Sequence, residues 1–173
     1  METMNTAAGL KADRKDDVVR IEVIHAGSVE AVVIDLLPAA DPLAVLRLAL
    51  AIEDDVLIFE RDQDEALTCL PPGRKALRLV THKARAIELV VRYDKDAHKK
   101  HFAPGKTVFK ALQWAVSDKA FGLDPQAAPK ANLILPGADE PLPREAALGS
   151  FVPHGHHELV VDLTLRDFTN GRG

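Results

Sequence analysis

Arg20-Ile21-Glu22-Val23-Ile24 and Ala86-Ile87-Glu88-Leu89-Val90 alternate apolar and polar residues in the same order. Period-two alternation marks a half-buried strand, with one face in a core and one turned away from it. Each stretch is followed by a polar break and a second extended run. In the first half the break is Ala26-Gly27-Ser28 and the run Val29 to Leu36. In the second the break is Asp94-Lys95-Asp96 and the run, shorter and more polar, Lys99 to Ala103.

A helix signal comes next in both halves. Asp41 precedes Pro42, an N-cap residue followed by proline in the first turn. Leu43, Leu46, Ala49 and Leu50 then recur at helical spacing. Thr107 is the matching cap, and Phe109, Leu112, Ala115 and Val116 trace the matching face of a helix that runs on towards Phe121. Leu43 and Phe109, Leu46 and Leu112, and Leu50 and Val116 share the offset that separates Ile21 from Ile87, a common register that argues against chance similarity.

A third strand reads as Val56-Leu57-Ile58-Phe59 in one half and Asn132-Leu133-Ile134-Leu135 in the other. Turn-rich segments follow, Arg61 to Glu65 and Pro136 to Pro143. Each half closes on an alternating strand, Ala76 to Val80 and Glu158 to Leu163. One helix covers only one face of a sheet, so the expected fold is α+β: a mixed sheet crossed by one main helix, with the other face in solvent. The first and last strands of each half are then central and parallel, which is the β-grasp arrangement. The expected organisation is a disordered lead-in over 1–17, a first domain over 18–81, a second over 85–165 and a flexible tail over 166–173. His82-Lys83-Ala84 leaves a short link, so the domains sit close. The alternative is one larger α+β domain whose halves agree by accident.

Composition limits the function. Apolar residues make up 47% of the 173, enough for a core, and aromatics only 5%, so Val, Leu, Ile and Ala build it. Twenty-two Lys+Arg against 26 Asp+Glu exclude a strongly basic protein bound to nucleic acid by phosphate neutralisation. No apolar run approaches the ~20 residues of a membrane span. A single cysteine, Cys69, excludes an internal disulfide framework and suits a reducing cytoplasm. The expected location is cytoplasmic, with neither nucleic acid nor membrane as partner.

Asn132-Leu133-Ile134-Leu135-Pro136-Gly137 resembles the third strand and following turn of ubiquitin. Leu142, Leu148 and Val152 fall where ubiquitin keeps small-core residues, and Glu158-Leu159-Val160-Val161-Asp162-Leu163 resembles its last strand. Two such domains and a glycine terminus are similar to the tandem ubiquitin-like modifiers of animals. They are also similar to the ubiquitin-like components of bacterial conjugation operons, including the Bil-type antiphage systems. The resemblance implies a modifier, a substrate of enzymes and not itself one. Its partners are an ATP-dependent activating enzyme, a conjugating enzyme, a deconjugating protease and target-protein lysines. It implies that the carboxylate of Gly173 is adenylated, passed to enzyme cysteines as a thioester and joined to a lysine amine, with Asn170, Gly171 and Arg172 read by the enzymes. Ubiquitin ends in two glycines, whereas this chain ends Gly-Arg-Gly. The last eight residues, extended, reach at most ~26–29 Å, long enough to thread a narrow channel. Glycine at the end adds no Cβ to collide there. Ile134 aligns with the isoleucine of ubiquitin's recognition patch, and alternation turns it to the open side as a candidate partner site.

Other features suggest other chemistry. His154, His156 and His157 offer three imidazoles, but no fourth ligand stands at a recognised metal-site spacing, so a polar turn is the expected role and no metal is assigned. His98 and His101 lie in a Lys-rich strand, expected to be a solvated edge. Leu67 to Leu70 reads as a short buried segment, with Cys69 a structural thiol. No phosphate-cradling glycine loop or Ser/His/Asp motif is present, and no cofactor or catalytic residue is expected. Two readings stand beside the modifier: a non-covalent adaptor that binds through its open sheet faces, and a histidine-based metal protein.

Overall fold

The two alternating stretches become central strands. The computed structural model describes residues 17–168. The first half contains β1 (Val19–His25), β2 (Ala31–Leu36), α1 (Pro42–Ala49), β3 (Leu57–Glu60) and β4 (Ala76–His82). The second contains β5 (Ile87–Tyr93), β6 (Asp96–Phe102), α2 (Val108–Val116), β7 (Asn132–Ile134) and β8 (Glu158–Thr164). Strand order is β2-β1-β4-β3 in one sheet and β6-β5-β8-β7 in the other, with β1·β4 and β5·β8 parallel and the outer pairs antiparallel. The chain thus folds as two tandem β-grasp, ubiquitin-like domains. Among the described residues no helix is long and apolar enough to cross a membrane.

Each helix starts at its expected cap. Asp41 Oδ1 accepts from the Ala44 N–H at 3.2 Å, and Thr107 Oγ1 accepts from the Lys110 N–H at 3.4 Å. The helices then cover the helix-side rows of the strands. Ile21, Val23, Ile58, Leu77 and Leu79 meet Leu43 and Leu46 in the first core. Ile87, Leu89, Val91 and Leu133 meet Val108, Ala111, Leu112 and Ala115 in the second. Leu142, Leu148 and Val152 of the irregular segment complete that core as expected.

Several expectations are corrected. The second helix buries Leu112 and Ala115 as expected, adds Val108 and Ala111, and leaves Phe109 42% exposed, so Val108 and not Phe109 opens its core face. Ala49 is also exposed. The helix stops at Val116 and does not reach Phe121: Ser117 Oγ donates to the Trp114 carbonyl at 2.6 Å, ending the ladder. Phe121 returns as a loop residue, edge-on to Tyr93 and His98. Cys69 is exposed, because Leu67 and Leu70 turn to the first core and leave the residues between them outside.

The largest correction concerns the first sheet. Its second face was expected in solvent, yet Phe59 and Val80 on that face are 1% and 2% exposed and belong to neither core cluster. The second domain lies against them.

Candidate recognition faces and tail exit

Strand parity determines which residues of each sheet turn away from the helix. In the second sheet Ile134 pairs with Asp162, which pairs with Arg92. Arg92 Nε and Nη2 donate to the two Asp162 carboxylate oxygens at 2.7 and 3.1 Å. That hydrogen bonding, then the carboxylate charge, raises the Arg92 pKa above its ordinary value. The adjoining row is Val160, Val90 and Lys99. Ile134 is half-buried and outside the core, while its neighbours Leu133 and Leu135 face the helix side. The open face is therefore an apolar strip of Ile134, Val160 and Val90 beside a fixed ion pair.

In the first sheet the residue equivalent to Ile134 is Phe59. Ile58 sits in the core as Leu133 does, so the next residue on each strand points outward. Aligned as written, the two third-strand stretches match Ile58 with Ile134. The pairing register moves that match by one residue and reverses the face. An adaptor using both open faces is thus limited to one: the Phe59 face is covered.

What covers it is a set of backbone segments of the second domain. Gly105 sits so close that a Cβ there would lie 2.8 Å from the Glu60 carbonyl oxygen and 3.1 Å from Phe59 Cβ. The Asp62 N–H donates to the Gly105 carbonyl at 2.9 Å, and the Gly27 N–H to the Gly149 carbonyl at 3.2 Å. Asp62, at φ +65°, turns its Oδ1 to accept from both the Thr107 N–H (2.9 Å) and the Thr107 hydroxyl (3.0 Å). A first-domain carboxylate thereby binds the cap residue of α2. Lys106 Nζ returns the contact, donating to the Asp62 carbonyl and pairing with Asp64, both at 3.0 Å. Nothing in the sequence of Asp62, one acid in a polar turn, sets it apart from Asp64.

Asp62→Ala is expected to lower stability by about 1–3 kcal/mol, since the part-buried Thr107 N–H loses its acceptor. Asp64→Ala, which removes an exposed carboxylate and leaves Lys106 its bond to the Asp62 carbonyl, is expected to change it by less than ~0.5 kcal/mol. Urea unfolding of the two variants measures the difference.

The opposite end of the seam is made of histidines. His82 is fully buried; its Nε2 donates to the Val152 carbonyl at 2.8 Å and its Nδ1 accepts from the Ala84 N–H at 2.9 Å. His154 of the second domain stands 5.7 Å away, ring to ring. Burial, and then the charge of His154, lowers the His25 pKa. Burial lowers that of His82 too, against the pull of the Val152 carbonyl and with a further push from His154. His156 and His157 are exposed, and among the described residues no group of three His, Cys, Asp or Glu is placed to hold a metal ion.

Beyond Thr164 the chain leaves the second sheet along a groove of about 600 Å³ lined by Pro129, Lys130, Arg144, Leu165 and Phe168. Arg166 fixes its start: Nη2 donates to the Asp139 carbonyl at 2.9 Å, and the guanidinium stacks 4.4 Å from the Phe168 ring centre. Asn170, Gly171, Arg172 and Gly173, like the expected lead-in up to Asp16, lie outside the described residues.

Residues 88–166 match the family described as BilA ubiquitin-like domain 2. Among solved structures, the N-terminal ubiquitin-like domain of the 4931431F19Rik protein is similar at 16% identity, over 62% of this chain and 92% of that one, with a TM-score of 0.36. No curated protein matches.

Proposed function

We propose, from the match of residues 88–166 to the family described as BilA ubiquitin-like domain 2, that the chain is a tandem ubiquitin-like protein modifier of a Bil-type bacterial antiphage system. It is a cytoplasmic substrate of enzymes and not itself one. An ATP-dependent activating enzyme joins the Gly173 carboxylate to AMP and releases pyrophosphate. A cysteine thiolate then displaces AMP to form a thioester, which passes to a conjugating enzyme. The amine of a target lysine attacks the thioester carbonyl, the thiol leaves and an isopeptide bond remains. A deconjugating protease hydrolyses that bond.

The family match carries this proposal. The body supports it in two ways. β8 delivers the chain to a groove of the second domain that Leu165 and Phe168 line. The open strip around Ile134 stays available for an enzyme to grip while the tail is engaged. Asn170, Gly171 and Arg172 then form the stretch threaded towards the active site.

The test is to incubate the protein with ATP and its operon enzymes and measure intact mass. Thiol-sensitive and thiol-stable adducts are expected, and deletion of Gly171 to Gly173 or the change Gly173→Glu is expected to reduce both to background. Adducts that persist in those variants would refute carboxylate transfer from Gly173. Absence of any adduct, with partner binding retained, would leave the non-covalent adaptor.

A further inference from the structure

The seam between the domains closes on a buried histidine whose two ring nitrogens have assigned roles. The Ala84 N–H is always a donor, so His82 Nδ1 must carry a lone pair. Nε2 faces the Val152 carbonyl and must carry the proton. The closed seam therefore holds His82 as the neutral Nε2–H tautomer. A second proton on Nδ1 sets donor against donor and places a charge where His82 has no exposed surface.

The charges around it give no compensation. From the first domain, His25 at the end of β1 bonds the Thr81 hydroxyl through Nδ1 at 2.7 Å and joins His154 in lining one cleft. Lys83 follows His82 in the chain, and Glu53 and Asp55 both pair with Lys83 at 3.5 Å. From the second domain, His154 faces the ring, while Gly149, Val152 and Pro104 present backbone and apolar surface. Three imidazoles and an ammonium thus converge, with the acids already engaged.

We propose that this histidine seam makes the contact between the domains acid-labile, so that a fall in pH frees the sheet face carrying Ile24, Val80 and Phe59. The sign follows from which state takes the proton. The closed seam excludes it and the parted one accepts it at the ordinary histidine value near ~6.5. The contact is therefore complete above about pH 6.5 and weakens as pH falls below it, towards the lowered pKa that the closed state imposes. His82 alone multiplies the ratio of parted to closed chains by at most about tenfold per pH unit in that window, and so by at most about 30-fold at pH 5. The freed face is apolar at its centre, where Val80 and Phe59 are paired neighbours, with Ile24 beside Val80. The covered face is thus a latent counterpart of the Ile134 strip.

Small-angle scattering of the full chain at pH 7.5 and 5.0 tests this, with far-UV circular dichroism on the same samples. The radius of gyration is expected to rise at pH 5.0 while the dichroism stays unchanged. His82→Gln keeps a neutral N–H for the Val152 carbonyl and is expected to remain compact at both values. His154→Gln leaves the fully buried position intact and is expected to move the expansion to lower pH. A chain that stays compact at pH 5.0, or one whose dichroism is lost in step with the expansion, would overturn the proposal. Expansion that both variants reproduce at the wild-type pH would do the same.

Discussion

Gly105→Val is expected to part the two domains while leaving each one folded. Gly105 is not in the left-handed region, so a side chain is compatible with its own backbone. The obstacle lies across the seam. The Cβ alone would stand 2.8 Å from the Glu60 carbonyl oxygen, and valine adds two methyls aimed at the same wall. Backbone of a paired strand does not yield as a flexible side chain does, so the second domain must move away. With it go the Asp62 bonds to Gly105 and Thr107 and the cover over Phe59. Hydrogen exchange reads this residue by residue. The amides of Gly27 and Asp62, bonded across the seam, should lose at least about tenfold protection for each ~1.4 kcal/mol removed. Those of Val23 and Val161, inside the two sheets, should keep theirs. Equal loss at all four amides would mean that the seam and the domains form one cooperative unit.

Leu89→Ala is expected to destabilise the second domain by about 2–5 kcal/mol, a factor of roughly 30 to several thousand in its folding equilibrium. Leu89 is fully buried on β5, between β6 and β8 and directly beside Leu159. A cavity there has no flexible neighbour to fill it, because strands on both sides hold the backbone. Val160→Ala is the control on the opposite face of the same sheet. Half-buried and outside the core, Val160 is expected to lose less than about 1 kcal/mol. Denaturant unfolding followed by the emission of Trp114, which packs on the second core beside Phe102, separates the two variants. Similar losses at both positions would mean that the two faces are buried alike.

Local chemistry made most of the fold legible. Alternation at Ile21 to Val23 and at Ile87 to Val91 needs only a sheet with one dry face, and both stretches became central strands. Asp41 and Thr107 cap their helices by short-range bonds that depend on no distant residue. The misreadings share a different cause. Val108 and Phe109 are both apolar, and spacing could not tell which of them faces the sheet. Leu67 and Leu70 anchor a turn whose outer side carries Cys69, and a run of mixed polarity does not reveal that side. Ile58 and Ile134 look alike in sequence, but hydrogen-bond register puts one in a core and the other on an open face.

Two β-grasp units, the positions of their strands and caps, and the core-facing rows of the central strands were all readable from the chain. These follow from period, capping and turn chemistry, all set within a few residues of chain. Which sheet face remains free was settled by how the two domains pack. Phe59 and Ile134 are equivalent outward positions, and no local rule separates them. The difference arises because Gly105, Gly149 and Gly27 lack side chains where the domains meet, letting backbone approach backbone. Asp62 and His82 then supply hydrogen bonds that exist only across that meeting. A seam assembled from residues far apart in the chain has no period to read, since its logic is geometric.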